Sequence, residues 1–233
     1  MTMTPLTLLQ VPLFPLHAVL LPGGVLPLHI FEVRYLDMIG RCYKAGDPFG
    51  VVCLSEGGEV SRPTPGPTGD AFARESFLPI GTLARITELE RPQPGLMTIS
   101  CVGTQRFRVL RSEKLKYGLW VADIELLADD AAVPVPDDLL FTRDALQGLV
   151  QNIAQNIESR GEPGVEMLLR PPYFWDDCSW LANRWCELLP MKPEHKHRLM
   201  ALDSPMLRLE LVADTLNQLG FTQESRPNGS PAK

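Results

Sequence analysis

Four histidines, five cysteines and three Asp-Asp pairs are the residues of this sequence that could do chemistry. His17 and His29 flank an apolar Pro-Gly turn and could meet as metal ligands; the plainer expectation is that each is half-buried and bonded to backbone. His195 and His197 stand two apart on a predicted helix and so point to different sides. They lie in Glu194–Arg198 (EHKHR), which reads as a solvated face. Cys53 and Cys101 sit inside apolar runs with no cation beside them, the setting of small core residues rather than activated thiolates. Cys178 and Cys186 are eight apart on one helix face, too distant to share a metal without other ligands. Asp129-Asp130, Asp137-Asp138 and Asp176-Asp177 fall at predicted helix starts or linkers, where capping and helix dipoles explain them. Acid–base catalysis needs two carboxylates held in a cleft with divergent pKa values.

No Gly-Lys dipeptide occurs, which excludes a phosphate-cradling loop of the nucleotide-hydrolase type. Gly-x-Ser-x-Gly and His-Glu-x-x-His are absent as well. The expectation is a protein that is not an enzyme and needs no metal or cofactor. Net charge is 22 − 28 = −6, which disfavours non-specific attraction to phosphate backbones. The imbalance lies beyond residue 127: residues 1–127 carry 12 basic and 12 acidic side chains, and residues 128–233 carry 10 and 16. An odd cysteine count without a Cys-x-x-Cys pair fits a reducing cytoplasm. Residues 1–31 hold no formal charge, yet Pro5, Pro12, Pro15, Pro22 and Pro27 would leave a membrane span with too many unmet backbone groups. They read as buried β structure, with no membrane partner.

The elements that must position these residues follow from periodicity and punctuation. Leu6–Phe14 and Val25–Ile30 are strand-like, separated by the turn at Pro22-Gly23-Gly24. Phe31, Tyr35, Met38, Ile39 and Cys42 then recur at helical spacing up to Gly46. Phe49–Ser55 is a further strand, and the Gly- and Pro-rich stretch Glu56–Arg74 is expected to be an exposed loop. Ile80–Glu90, Leu96–Val102, Arg106–Lys114 and Leu119–Leu127 read as a β meander, with Phe107 and Val109 buried and Arg106, Arg108 and Arg111 wet. After Pro134 and Pro136 the pattern is helical: a long helix with Leu139, Leu146, Val150 and Ile157 on one face that ends at Gly161, then Ser179–Leu189, a helix with Pro193 in its first turn, and one capped by Ser204-Pro205. The fold class is therefore α+β, with a β-rich region 1–127 carrying one inserted helix, a helical region 128–221, and a disordered tail 222–233. Trp175, Trp180 and Trp185 are spaced by five, which cannot keep one helix face, so at least one is expected to leave the helix core.

Several motifs in order carry a family resemblance. They are Val11-Pro12-Leu13-Phe14-Pro15-Leu16, Leu20-Leu21-Pro22-Gly23, and Leu26-Pro27-Leu28-His29-Ile30-Phe31-Glu32 with Arg34-Tyr35. Phe49-Gly50-Val51-Val52, Ile80-Gly81-Thr82-Leu83-Ala84, Gly103-Thr104-Gln105-Arg106-Phe107, Leu188-Leu189-Pro190 and Arg208-Leu209-Glu210 follow. Together they resemble the N-terminal, substrate-binding domain of Lon protease. Departures are Val33 where many members have Pro, and Pro94-Gly95 where many have Asp-Gly. The resemblance covers only the domain that precedes the ATPase and protease of full Lon, so it implies a free-standing Lon N-terminal-like protein and no peptidase activity.

The resemblance further implies a PUA-like β pseudo-barrel with a helical bundle behind it, acting in recognition of substrate polypeptides. A binding surface for unfolded or partner polypeptide is then expected at the Phe31–Tyr35 corner. There Glu32 and Arg34 would orient a peptide backbone, and Phe31 and Tyr35 would offer apolar contact; strand addition at a sheet edge is a second mode. The alternative is RNA binding through Arg106, Arg108 and Arg111, which rests on fold analogy and that basic strand alone. Homo-oligomerisation is left open.

Overall fold

A computed structural model of the chain describes residues 6–58, 75–160, 169 and 171–221, with the side chains of 157–160 left aside. The expected loop Glu56–Arg74 lies mostly outside the described residues, and so does the tail 222–233. Six strands form one sheet: β1 (Thr7–Leu16), β2 (Val25–Ile30), β3 (Phe49–Glu56), β4 (Ser76–Gln93), β5 (Leu96–Lys114) and β6 (Trp120–Leu126). Five helices accompany them: α1 (Val33–Ala45), α2 (Leu140–Arg160), α3 (Cys178–Leu188), α4 (Pro193–Met200) and α5 (Pro205–Gln218). The mixed α+β class expected from the pattern is what the chain adopts.

The strand order is β2-β5-β4-β3-β1-β6, and β5 also pairs with β6. Five strands thus close into a ring, which removes most free edges. β5 achieves this by length. Met97–Val102 pairs with β2, and Phe107–Lys114 pairs with β6. The sequence pattern split this strand at Gly103; the structure runs through it. The reason is a close backbone approach: Gly23 N–H donates to the Gly103 carbonyl at 2.8 Å, and Gly103 N–H donates to the Gly24 carbonyl at 2.9 Å. A Cβ at Gly103 would stand 2.3 Å from the Leu21 carbonyl oxygen, so this glycine marks a contact and not a break.

β1 alternates between two cores, as a strand buried on both faces must. Phe14 and Leu16 join Ile30, Tyr35, Met38, Ile39 and Phe49 beneath α1. Val11 and Leu13 join Val52, Leu83, Phe107 and Ile124 on the other side. Fully burying each such side chain stabilises the fold by about 1.5–3 kcal/mol. α1 buries Tyr35, Met38, Ile39 and Cys42 and ends at Gly46, whose φ of 76° is the left-handed conformation that closes a helix.

The chain forms two compact units. The first comprises Met1–Asp130 with Cys186–Asp203, and the second Ala131–Trp185 with Ser204–Lys233. In the first, α4 brings His197 to the sheet, where the ring Nε2 donates to the Ile80 carbonyl at 3.0 Å. In the second, Leu146, Leu181, Trp185, Leu209, Val212 and Leu216 are buried. Trp185 Nε1 donates to the Thr142 carbonyl at 2.9 Å, which satisfies its one polar atom. Ser204 Oγ accepts from Leu207 N–H at 3.3 Å, the cap expected before Pro205. Trp175 leaves α3 and meets Trp180 edge-on, with ring centroids 5.0 Å apart.

Candidate functional site

The corner between β2 and α1 is built from opposed charges and one aromatic stack. Glu32 precedes the helix but gives it no side-chain cap. Its carboxylate instead accepts from Arg34 Nε at 2.9 Å. The Arg34 guanidinium also donates to the Gly118 carbonyl, pairs with Glu75 at 3.8 Å, and lies 4.4 Å over the Tyr35 ring. Glu75, itself buried, accepts from Trp120 Nε1 at 2.7 Å and pairs with Lys114 at 3.1 Å. Tyr35 stacks on Phe14 with ring centroids 4.1 Å apart. Glu32 and Arg34, expected to orient a peptide, are drawn inward, and Tyr35 takes the core place that its helical spacing predicts: it is 2% exposed, and its ring is part of the core. The reason is helical phase. Position 35 shares a face with Met38, Ile39 and Cys42.

Phe31 and Val33 go the other way, 57% and 80% exposed. From Val33 a groove of about 600 Å³ runs between α1 and the β4–β5 hairpin. Val33, Leu36 and Asp37 line it from the helix, and Arg91, Pro94 and Leu96 from the hairpin. The hairpin turns through Pro94-Gly95, where Gly95 supplies a φ of 80°. Sequence reasoning missed this groove because the hairpin and helix meet only in three dimensions. It also missed Glu75, whose neighbours in sequence give no signal.

The basic strand expected as an RNA surface is dismantled by the fold. Arg106 is 4% exposed, and its guanidinium donates to the Met200 and Leu202 carbonyls at 2.7 and 3.0 Å. It also pairs with Asp130 at 2.8 Å, so Asp130 is an ion-pair partner where a helix-start or linker acid was expected. Arg108 pairs with Glu125 at 3.6 Å, and Arg111 is exposed. Lys114 belongs to the Glu75 cluster. Alternation predicts a wet Arg106; at that position β5 meets the end of α4 and Leu202 beyond it, and hydrogen bonds with the Asp130 ion pair make the burial tolerable.

His17 and His29 are both exposed where half-burial was expected, and His29 meets the Thr98 hydroxyl at 3.3 Å. His17 Nε2 donates to the Gly57 carbonyl at 3.1 Å. His197 is 7% exposed, so the solvated face expected of Glu194–Arg198 is kept by Glu194, His195 and Arg198 and not by His197. Burial pushes the His197 pKa down against the weaker pull of its bond to Ile80. All five cysteines are free and buried. Burial pushes Cys101 up to about 12, and burial with a nearby acid pushes Cys53 and Cys178 each to about 11. Such thiols are inert. Asp177 accepts from Trp180 N–H at 2.7 Å, the cap expected of that pair. Among the described residues no three His, Cys, Asp or Glu side chains are grouped to hold a metal, and no helix is long and apolar enough to cross a membrane.

With that geometry in place, comparison with known proteins is decisive for the family. The substrate-binding domain of ATP-dependent protease La (Lon) matches residues 10–218. This chain belongs to the Lon substrate-binding domain family. Among solved structures, it is similar to a Lon N-terminal domain protein from Xanthomonas campestris, with 26% identity and a TM-score of 0.66. That match covers 89% of this chain and 98% of the other. The N-terminal domain of Mycobacterium avium complex Lon protease shares the fold at 18% identity and a TM-score of 0.53, over 88% of this chain and 96% of that one. The Lon domain resemblance read from VPLFPL and PLHIFE thus holds across nearly the whole chain.

Proposed function

We propose that this Lon-family domain is a non-catalytic module that binds unfolded or partner polypeptides, holding an extended apolar segment in the groove between α1 and the β4–β5 hairpin. The observation that carries the reading is the groove itself, open to solvent, largely apolar and lined by the exposed Val33, with the exposed Phe31 two residues before it in the chain. An apolar groove takes a polypeptide through side-chain anchors without demanding a fixed sequence. Glu32, Arg34 and Tyr35 support this corner from behind, fixing the start of α1 so that Phe31 and Val33 stay outward. Strand addition is the weaker mode: β2 is an edge, but Pro27 removes one of its backbone donors. The closed strand ring with a helix after β2 is read as a PUA-like pseudo-barrel, and the second unit as its helical bundle. Five buried free thiols fit a reducing, cytoplasmic setting.

RNA binding has less on its side, since Arg106 is buried and Arg108 and Lys114 are paired with carboxylates. Titration of the purified protein into a fluorescently labelled, permanently unfolded polypeptide, with a folded control and a labelled RNA alongside, separates the readings. Saturable anisotropy change with the unfolded chain alone is expected. Binding of RNA in preference to polypeptide, or of none of the three, contradicts the proposal.

A further inference from the structure

The groove carries charge as well as apolar surface, and the charges are not balanced. Two ionisable side chains line it, Asp37 from α1 and Arg91 from β4. Asp37 already has a partner: Arg41 stands one helical turn on, with Nη2 3.0 Å from the Asp37 carboxylate. Arg91 has no ion pair among the described residues. Its neighbour Glu90 does not line the groove, while Leu89 packs toward the core beneath α1. The Arg91 guanidinium reaches across to the helix, where a Cβ placed on Gly40 would stand 3.8 Å from Nη2. Among the described residues, therefore, a cation sits at the rim of an apolar trough with no carboxylate paired to it.

We propose that the groove selects polypeptide segments in which apolar anchors are accompanied by a carboxylate, from Asp or Glu, that pairs with Arg91. This rests on the polypeptide-binding reading above and names the chemistry of its ligand. The apolar side chains fill the space between Leu36, Pro94 and Leu96. The carboxylate then meets a planar guanidinium able to engage both of its oxygens at once. A lysine at the same place meets like charge, and Asp37 does not compensate because Arg41 holds it. Since Arg91 is solvent-exposed, the preference is modest and screened by salt.

Three short fluorescein-labelled peptides test this, sharing one Leu-Phe-Leu core and carrying Glu, Gln or Lys on both sides of it. Anisotropy titrations of the full chain are expected to rank Glu tightest and Lys weakest, with Glu over Gln by about three- to fivefold. The ranking collapses in Arg91→Gln and in about 1 M salt. Arg91 is exposed and outside both cores, so an unchanged thermal transition in that variant verifies its fold. Equal affinities for the three peptides, or a ranking that survives Arg91→Gln, overturn the charge preference and leave polypeptide binding standing. Absence of binding by every peptide overturns both.

Discussion

The Arg106 guanidinium and the Asp130 carboxylate form an ion pair at 2.8 Å with 4% and 8% of their side chains exposed. The same guanidinium donates to the carbonyls of Met200 and Leu202, which ties β5 to the end of α4. Removing one member of a buried pair leaves the other charged and unsolvated. Arg106→Ala is expected to lower stability in urea unfolding by about 3–5 kcal/mol. Arg108→Ala, half-exposed beside Glu125, is expected to change it by under about 1 kcal/mol. Equal, small effects would mean that Arg106 is not the anchor described.

Arg34 anchors the other side of the ring. It bridges Glu32, Glu75, the Gly118 carbonyl and the Tyr35 ring. Arg34→Ala is expected to cost about 3 kcal/mol, the lower end for a broken buried pair, because Lys114 remains beside Glu75. Arg34→Lys keeps the charge but loses the planar fork, and should recover only part of the loss. Chemical denaturation of the three proteins reads this directly.

His197 predicts a pH dependence. Its folded pKa lies below the usual histidine value of about 6.5, with burial the larger cause. The unfolded chain therefore binds a proton that the folded chain refuses. Stability from this group is full above about pH 6.5 and falls as pH drops from there toward the folded pKa, by up to about 1.4 kcal/mol per pH unit. Urea midpoints between pH 7.5 and 5 should fall in the wild type and fall less in His197→Gln. Parallel slopes would show that His197 is not the group responsible.

What could be read in the sequence was what local periodicity encodes. Tyr35, Met38, Ile39 and Cys42 announced α1 and its buried face, and Gly46 its end, whereas Phe31, read into the same stripe, precedes the helix and is exposed. Ser204-Pro205 and Pro193 marked helix starts through backbone chemistry that needs no tertiary context. Gly103 misled because a glycine in a strand can mean a turn or a close approach, and only the Leu21 carbonyl distinguishes them. His197 misled because four polar neighbours, Glu194, His195, Lys196 and Arg198, surround it in sequence, although it lies three residues from the buried Met200. Arg106 misled because a cation in a strand reads as wet unless its acceptors, almost a hundred residues on, are known. The motif residues were legible as important, but their roles were not. Of the expected corner, Glu32, Arg34 and Tyr35 face inward, and only Phe31 is openly exposed.

Gly103 offers a steric test of the sheet closure. A methyl group there meets the Leu21 carbonyl at 2.3 Å and the Leu20 side chain at 3.0 Å. Backbone cannot yield as a side chain can, so Gly103→Ala is expected to cost about 1–3 kcal/mol. Gly148→Ala, with nothing within 4 Å of its Cβ position, should be neutral or stabilising as a helix-interior replacement. Thermal melts of the pair give the comparison.

The most direct test of the account is the affinity of the wild type and of Val33→Asp for the same unfolded, labelled polypeptide. Val33 is 80% exposed at the mouth of the groove, so its replacement should leave the unfolding transition unchanged. Binding is predicted to weaken by about tenfold, the effect of roughly 1.4 kcal/mol when an apolar contact is lost and a charge takes its place. Unchanged affinity in a folded Val33→Asp variant would contradict the claim that this groove holds the polypeptide.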